Sequence, residues 1–207
     1  QRLAENPAVR NVETAPMLRG LVTKINDQPA AEIGGDHWVL RGDRGISYAD
    51  ALPEKTKITA GSWWGAGYSG SPQISFAAEE AEEIGISIGD QLTLNVLGRD
   101  ITATITSLRE VDFSTAGMGF VILLNEAALR GAPHSHIATV YAKASAEIPI
   151  LDELNQAFPN VTGIQIREAA ALVTEVVSSI ASAASIGALA TLITGFFILI
   201  GAAAAST

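Results

Sequence analysis

Polar and apolar residues alternate along 91–96, where Leu92, Leu94 and Val96 share one parity, and the pattern resumes at Ile101, Ala103 and Ile105. A period of two is that of a strand with one buried face. Gly98 stands between the two runs and supplies a tight turn, so the stretch is expected to be a hairpin. Other apolar-rich runs predict strands at 16–27, 38–41, 57–59, 120–124, 136–143 and 161–166. Helical spacing takes over at 147–158, where Ile148, Leu151, Leu154 and Phe158 fall on one face. A helix is also expected over 76–84, with Glu79, Glu80, Glu82 and Glu83 turned to water. Asn125 is expected to cap a short helix ending near Gly131. The segment 61–72, GSWWGAGYSGSP, is too rich in Gly and Ser for regular structure and reads as a loop. The mixture of elements predicts an α+β domain.

From Arg167 the helical pattern runs on without Pro, and without Gly before Gly187. Within it, 186–205 reads IGALATLITGFFILIGAAAA. As a helix this run would be about 30 Å long, the thickness of a bilayer's hydrocarbon core. Nine of its residues are Leu, Ile or Phe, which sums to an insertion free energy of about −3 to −5 kcal/mol. A core helix of this length would show a polar stripe; this one shows none. The expectation is a membrane helix carried directly on the domain. Ala183 with Gly187, and Thr191 with Gly195, place small residues four apart, a spacing that lets helices approach closely in lipid. Beginning at Gln1 and ending inside an apolar run, the chain is expected to be part of a longer polypeptide.

Charge sharpens this picture. The 207 residues hold 22 acidic and 13 basic side chains, for a net charge of −9. Every charge lies at or before Glu175, and no cluster of Lys and Arg exists to displace counterions from phosphates, which argues against nucleic acid. The absence of cysteine excludes disulfides, thiolate metal sites and a Cys nucleophile within these residues.

Candidate chemistry is sparse. Gly65, Gly67 and Gly70 match the G-x-G-x-x-G spacing, but no helix is expected to follow and receive a pyrophosphate. Gly67-Tyr68-Ser69-Gly70-Ser71 lacks the final Gly of a nucleophile elbow. His134 and His136 would share one face of a strand and could bind zinc, although a Pro-His-Ser-His turn more often hydrogen-bonds a strand start. Arg41, Asp43 and Arg44 are expected to pair with neighbouring charges. Trp63, Trp64 and Tyr68 gather three large aromatics in one glycine-rich loop. They could contact an acyl chain, a membrane interface or a partner; the alternative is that they cap the local core.

Several of these segments, taken together, carry a family likeness. They are PMLRG at 16–20, WVLRGDRG at 38–45 with Tyr48-Ala49, and GSWW at 61–64. The stretch GISIGDQLTLNVLGRDITATITSLREVD at 85–112, APHSH at 132–136 and PNVT at 159–162 continue it. The chain resembles the large permeases of the FtsX-like family, its YbbP-type branch, over nearly its whole length. Leu21 and Ser135 depart from the pattern, where a second Arg and a Thr would be expected.

The resemblance implies an ABC transporter permease subunit of MacB-like architecture in the bacterial inner membrane, its soluble part facing the periplasm or cell exterior. The implied fold is a MacB-like periplasmic core domain (residues 1–75 and 118–175) with a β-rich inserted subdomain (76–117). A juxtamembrane and transmembrane helix (176–207) would follow. The implied partners are a cytoplasmic ABC ATPase subunit, which binds the ATP, other membrane helices of the same permease, and an extracytoplasmic hydrolase or lipoprotein. The family brings no catalytic residues and no cofactor to this chain, which is expected not to be an enzyme. The function implied is coupling of ATP hydrolysis to transport or extraction of a lipid-like substrate; the alternative is a regulatory scaffold that activates a partner hydrolase.

Overall fold

A computed structural model describes residue 3 and residues 5–54, 56–113 and 118–166. The chain divides into two compact units, residues 1–143 and 144–207. The first holds strands β1 (Val9–Ile25), β2 (Gln28–Pro29), β3 (Arg44–Ala49), β4 (Ile58–Gly61), β5 (Gln73–Ala77), β6 (Gln91–Val96), β7 (Arg99–Arg109), β8 (Ile122–Asn125) and β9 (Ser135–Ala142). Its helices are α1 (Ala30–Gly34), α2 (Ala78–Ile84) and α3 (Glu126–Leu129). In the second unit the described residues form a 3-10 turn, Ala144–Ala146, and α4 (Glu147–Ala157). The expected α+β character is therefore observed, with strands dominating.

Six of the strands close on themselves. β1 pairs with β3, β3 with β8, β8 with β5, β5 with β7, β7 with β6, and β6 again with β1. Closure removes the unpaired strand edges that would otherwise invite association. Alternation sets the inner face: Ile46, Ile74, Phe76, Leu92, Leu94, Ile105, Ile122 and Leu124 are fully buried in one apolar cluster. The hairpin read at 91–108 is present, and it supplies two of the six strands of the ring. Its buried residues Leu92, Leu94, Val96, Ala103 and Ile105 belong to the same apolar cluster as those of β1, β3, β5 and β8.

A second cluster, Trp64, Phe120 and Leu123, lies on the opposite face of the sheet. The row Ser47, Leu123, Ser75, Ser107 crosses β3, β8, β5 and β7 in register. Ser107 joins that row because the register shifts between Ile74 and Ser75, leaving Thr106 unpaired on β7. Such a bulge exchanges the faces of all residues beyond it. Leu108 thus packs on the inner core, and Ser107 and Arg109 turn outward.

β1 is far longer than the run at 16–27 suggested. Its first half pairs only with β9, from Val9 opposite Ala142 to Met17 opposite Ser135, as a two-stranded ribbon. The chain enters the ring of strands along β1 and leaves it along β9.

Six local expectations need correction. Residues 38–41 form a turn, in which Leu40 N donates to His37 O and Arg44 donates to the carbonyls of Trp38 and Arg41. Val39 and Leu40 are buried there without a strand. Arg44 accordingly meets backbone carbonyls rather than a neighbouring carboxylate. β5 takes the first residues of the expected 76–84 helix, and Glu80 is buried, because one side of so short a helix must face the sheet. Asn125 stands before α3, but its side-chain oxygen accepts from Gln73 N at 2.8 Å rather than from the helix. On α4 the covered residue is Ile150, whereas Ile148 and Phe158 are exposed. Residues 161–165 form no strand.

Gly61 ends β4 at a φ of 75°, and a Cβ there would lie 2.2 Å from the Thr106 carbonyl oxygen. Gly65, in the same loop, has open space around it. Gly61→Ala should therefore lower stability by about 2–4 kcal/mol, from the left-handed conformation and the overpacking together. Gly65→Ala should change it by less than about 0.5 kcal/mol. Denaturant midpoints of the two variants check the contrast.

Among the described residues no helix is long and apolar enough to cross a membrane. The expected helix from Arg167 and the membrane span within 176–207 lie outside those residues.

Candidate functional site

The three aromatics singled out in the sequence come together in the loop between β4 and β5, and the end of β3 holds them there. Trp64 Nε1 donates to Ala49 O at 2.9 Å and Trp63 Nε1 to Asp50 O at 3.2 Å. The two indole rings are 3.9 Å apart at 32°. Asp50 Oδ1 accepts from Gly67 N at 2.7 Å, which fixes the far side of the loop. Tyr68 N donates to Gly65 O, and the Tyr68 hydroxyl accepts from Gln73 Nε2 at 3.1 Å. A loop so rich in glycine has its high conformational freedom offset by side-chain anchors.

Burial separates the roles. Trp64 is buried among Phe120 and Leu123, whereas Trp63 and Tyr68 are half-buried at the margin of that cluster. Trp64 caps the outer face of the sheet, and Trp63 and Tyr68 remain accessible. Asp50, which organises the loop, was missed in the sequence. Its only signal is an acidic residue directly after a strand, which many loops share.

The loop is followed by β5 and not by a helix, so Gly65, Gly67 and Gly70 lack the helix N-terminus a pyrophosphate would need. Ser69 is exposed in the same loop. His134 lies elsewhere and is committed to the fold. Its Nδ1 faces Ala132 O at 2.8 Å, an acceptor only, so that nitrogen carries the proton. Nε2 then accepts from the Tyr48 hydroxyl at 3.1 Å. The His136 ring is 5.0 Å from that of His134, while His37 meets Glu83 at 2.7 Å. Among the described residues no three His, Asp or Glu side chains gather in a way that could hold a metal.

One buried charge also escaped the sequence reading. Arg109 donates to the carbonyls of Phe120 and Val121 and is 4 % exposed. Burial pushes its pKa down to about 10, partly opposed by the charge of Glu80. Burial likewise raises the Glu80 carboxyl above its ordinary range. Both groups belong to the scaffold: Arg109 ties the chain entering β8 to the outer face of β7.

The arrangement is a closed β body with an anchored aromatic loop, entered and left through one ribbon. No family model matches the chain. Over 151 residues, 73% of its length, the chain is 26% identical to a curated protein of Escherichia coli (strain K12), the "Uncharacterized ABC transporter permease YbbP". It spans 18% of that protein. The similarity supports assigning the chain to the ABC transporter permease family, as the sequence resemblance implied.

Proposed function

We propose that this chain is an extracytoplasmic domain of an ABC transporter permease subunit, coupling ATP hydrolysis by a cytoplasmic ATPase to transport or extraction of a lipid-like substrate. The similarity to a permease carries the reading. The apolar segment 186–205 supports a place in the bacterial inner membrane, beside other membrane helices of the same permease. The soluble part would face the periplasm or cell exterior. ATP would bind the separate subunit, and this chain would be non-enzymatic, without a cofactor of its own. Trp63 and Tyr68 would offer the accessible aromatic surface to substrate or to an extracytoplasmic hydrolase or lipoprotein, with Trp64 supporting them from beneath.

The ribbon of β1 and β9 supports a mechanical route. Both strands meet the ring of strands at the same end, so a displacement of the chain before Val9 or after Ala142 reaches the ring through their shared ladder. A sequence-continuous helix from Arg167 would carry motion to that ribbon from the membrane side.

Val140 pairs with Val12 in the middle of this ladder. Val140→Pro removes a backbone donor and is poorly tolerated inside a paired strand. In the full-length permease assembled with its ATPase, a spin label at Ser71 and one on a membrane helix should change their separation on ATP addition. Val140→Pro should abolish that change while ATP hydrolysis continues. An unaltered change would make the ribbon a passive tether and favour the scaffold that activates a partner hydrolase.

A further inference from the structure

The turn between β6 and β7 is built from the wrong residue for its shape. Val96 pairs with Arg99, so Leu97 and Gly98 form a two-residue loop, with φ of 51° and 83°. That geometry favours Gly, Asn or Asp at both places. The same domain obeys the rule between β1 and β2, where Asn26 and Asp27 adopt φ of 49° and 62°. Leu97 does not obey it, and it is also 60% exposed. It bears backbone strain and gains little burial within its own fold, a combination that points to a contact outside it.

The tip is rigid. Asn95 Nδ2 donates to Asp100 Oδ1 at 2.6 Å, and Gly98 N donates to Asn95 Oδ1 at 3.2 Å. Beside the tip lies an open recess of about 590 Å3, lined by Gly70, Ile101, Ala127, Ala128 and Gly131, with Arg99 and Asp100 at its hairpin side. A projecting leucine and a hollow of small side chains thus sit next to each other on one surface, with one charge of each sign between them. Such a patch is complementary to itself, as a two-fold contact between identical chains requires.

We propose that the β6–β7 tip is a self-association site: Leu97 of one copy enters the small-residue recess of a second copy, and Arg99 faces Asp100 across the contact. The occupant is a second copy because knob, hollow and paired charges are all present on this one surface. An anionic membrane fits poorly, since the chain carries a net charge of −9.

The test uses full-length protein in a cysteine-free background, mixing two differently tagged populations, one with Leu97→Cys and one with Ala127→Cys. Oxidation should link the two tags, whereas pairing Leu97→Cys with Glu32→Cys, on α1, should not. Leu97→Asn separates contact from fold. Asparagine suits the left-handed turn, so the variant should unfold at a higher denaturant concentration than the parent. Its dimer fraction should nevertheless fall, by about tenfold in association constant for each leucine lost from the contact. Failure of the Leu97–Ala127 link, or equal linking at Glu32, would overturn the proposal. So would a Leu97→Asn variant that is less stable than the parent or that associates unchanged. Crosslinking of Leu97→Cys to a different protein instead would assign the tip to that partner and remove the self-contact.

Discussion

Trp64→Ala should lower the free energy of unfolding by about 3–5 kcal/mol, the range for deleting a large aromatic from a packed site. Trp64 is 5% exposed, and its ring closes the cluster of Phe120 and Leu123 on the outer face of the sheet. The substitution also leaves the Ala49 carbonyl without its indole donor, which adds to the loss from the cavity. Beneath the cluster run Ser47, Ser75 and Ser107, all buried, so water admitted there would meet the small polar row and loosen the β4–β5 loop. Trp63→Ala makes the control. That ring is half-buried and its indole bonds to Asp50 O at 3.2 Å, so the cost should be nearer 1–2 kcal/mol, about that of an ordinary destabilising substitution. Urea unfolding followed by circular dichroism separates the two. Equal losses, or a negligible loss at Trp64, would contradict the division between a capping and an accessible tryptophan. If Trp63 and Tyr68 form a contact surface, Trp63→Ala should weaken substrate or partner binding more than it weakens the fold.

Much of the body was legible because period-two alternation survives wherever a strand has one covered face. The hairpin of β6 and β7, the buried β8 and the strand β9 all follow from it. What alternation does not encode is closure: nothing local in 91–109 says that β6 returns to β1 and β7 to β5. The bulge at Thr106 was hidden for the same reason, since it is visible only as a change of parity against a partner strand. Val39 and Leu40 read as a strand because two adjacent apolar residues are ambiguous, and a turn held by Arg44 buries them equally well. Glu80 lay within a run of glutamates that composition assigns to water, yet a seven-residue helix laid on a sheet has to cover some of its side chains. At the candidate site the aromatic trio was visible, because Trp, Trp and Tyr are conspicuous among glycines. Its anchors were not. Ala49, Asp50 and Gln73 act through a carbonyl, a carboxylate and an amide that any loop could supply.

The sidedness of the domain underlies the whole account, and the residues themselves do not orient it. The positive-inside rule needs Lys or Arg near the ends of a membrane segment, and the last charged residue before 186–205 is Glu175. Orientation therefore follows from the proposed permease role, and it admits an all-or-none measurement. Ser71 is exposed in the β4–β5 loop, and the 207 residues contain no cysteine. Full-length protein carrying Ser71→Cys in a cysteine-free background would be treated, in intact spheroplasts, with a membrane-impermeant maleimide. An extracytoplasmic domain predicts labelling before lysis to the same extent as after it; labelling that appears only once the membrane is broken would place the domain in the cytoplasm and contradict the account.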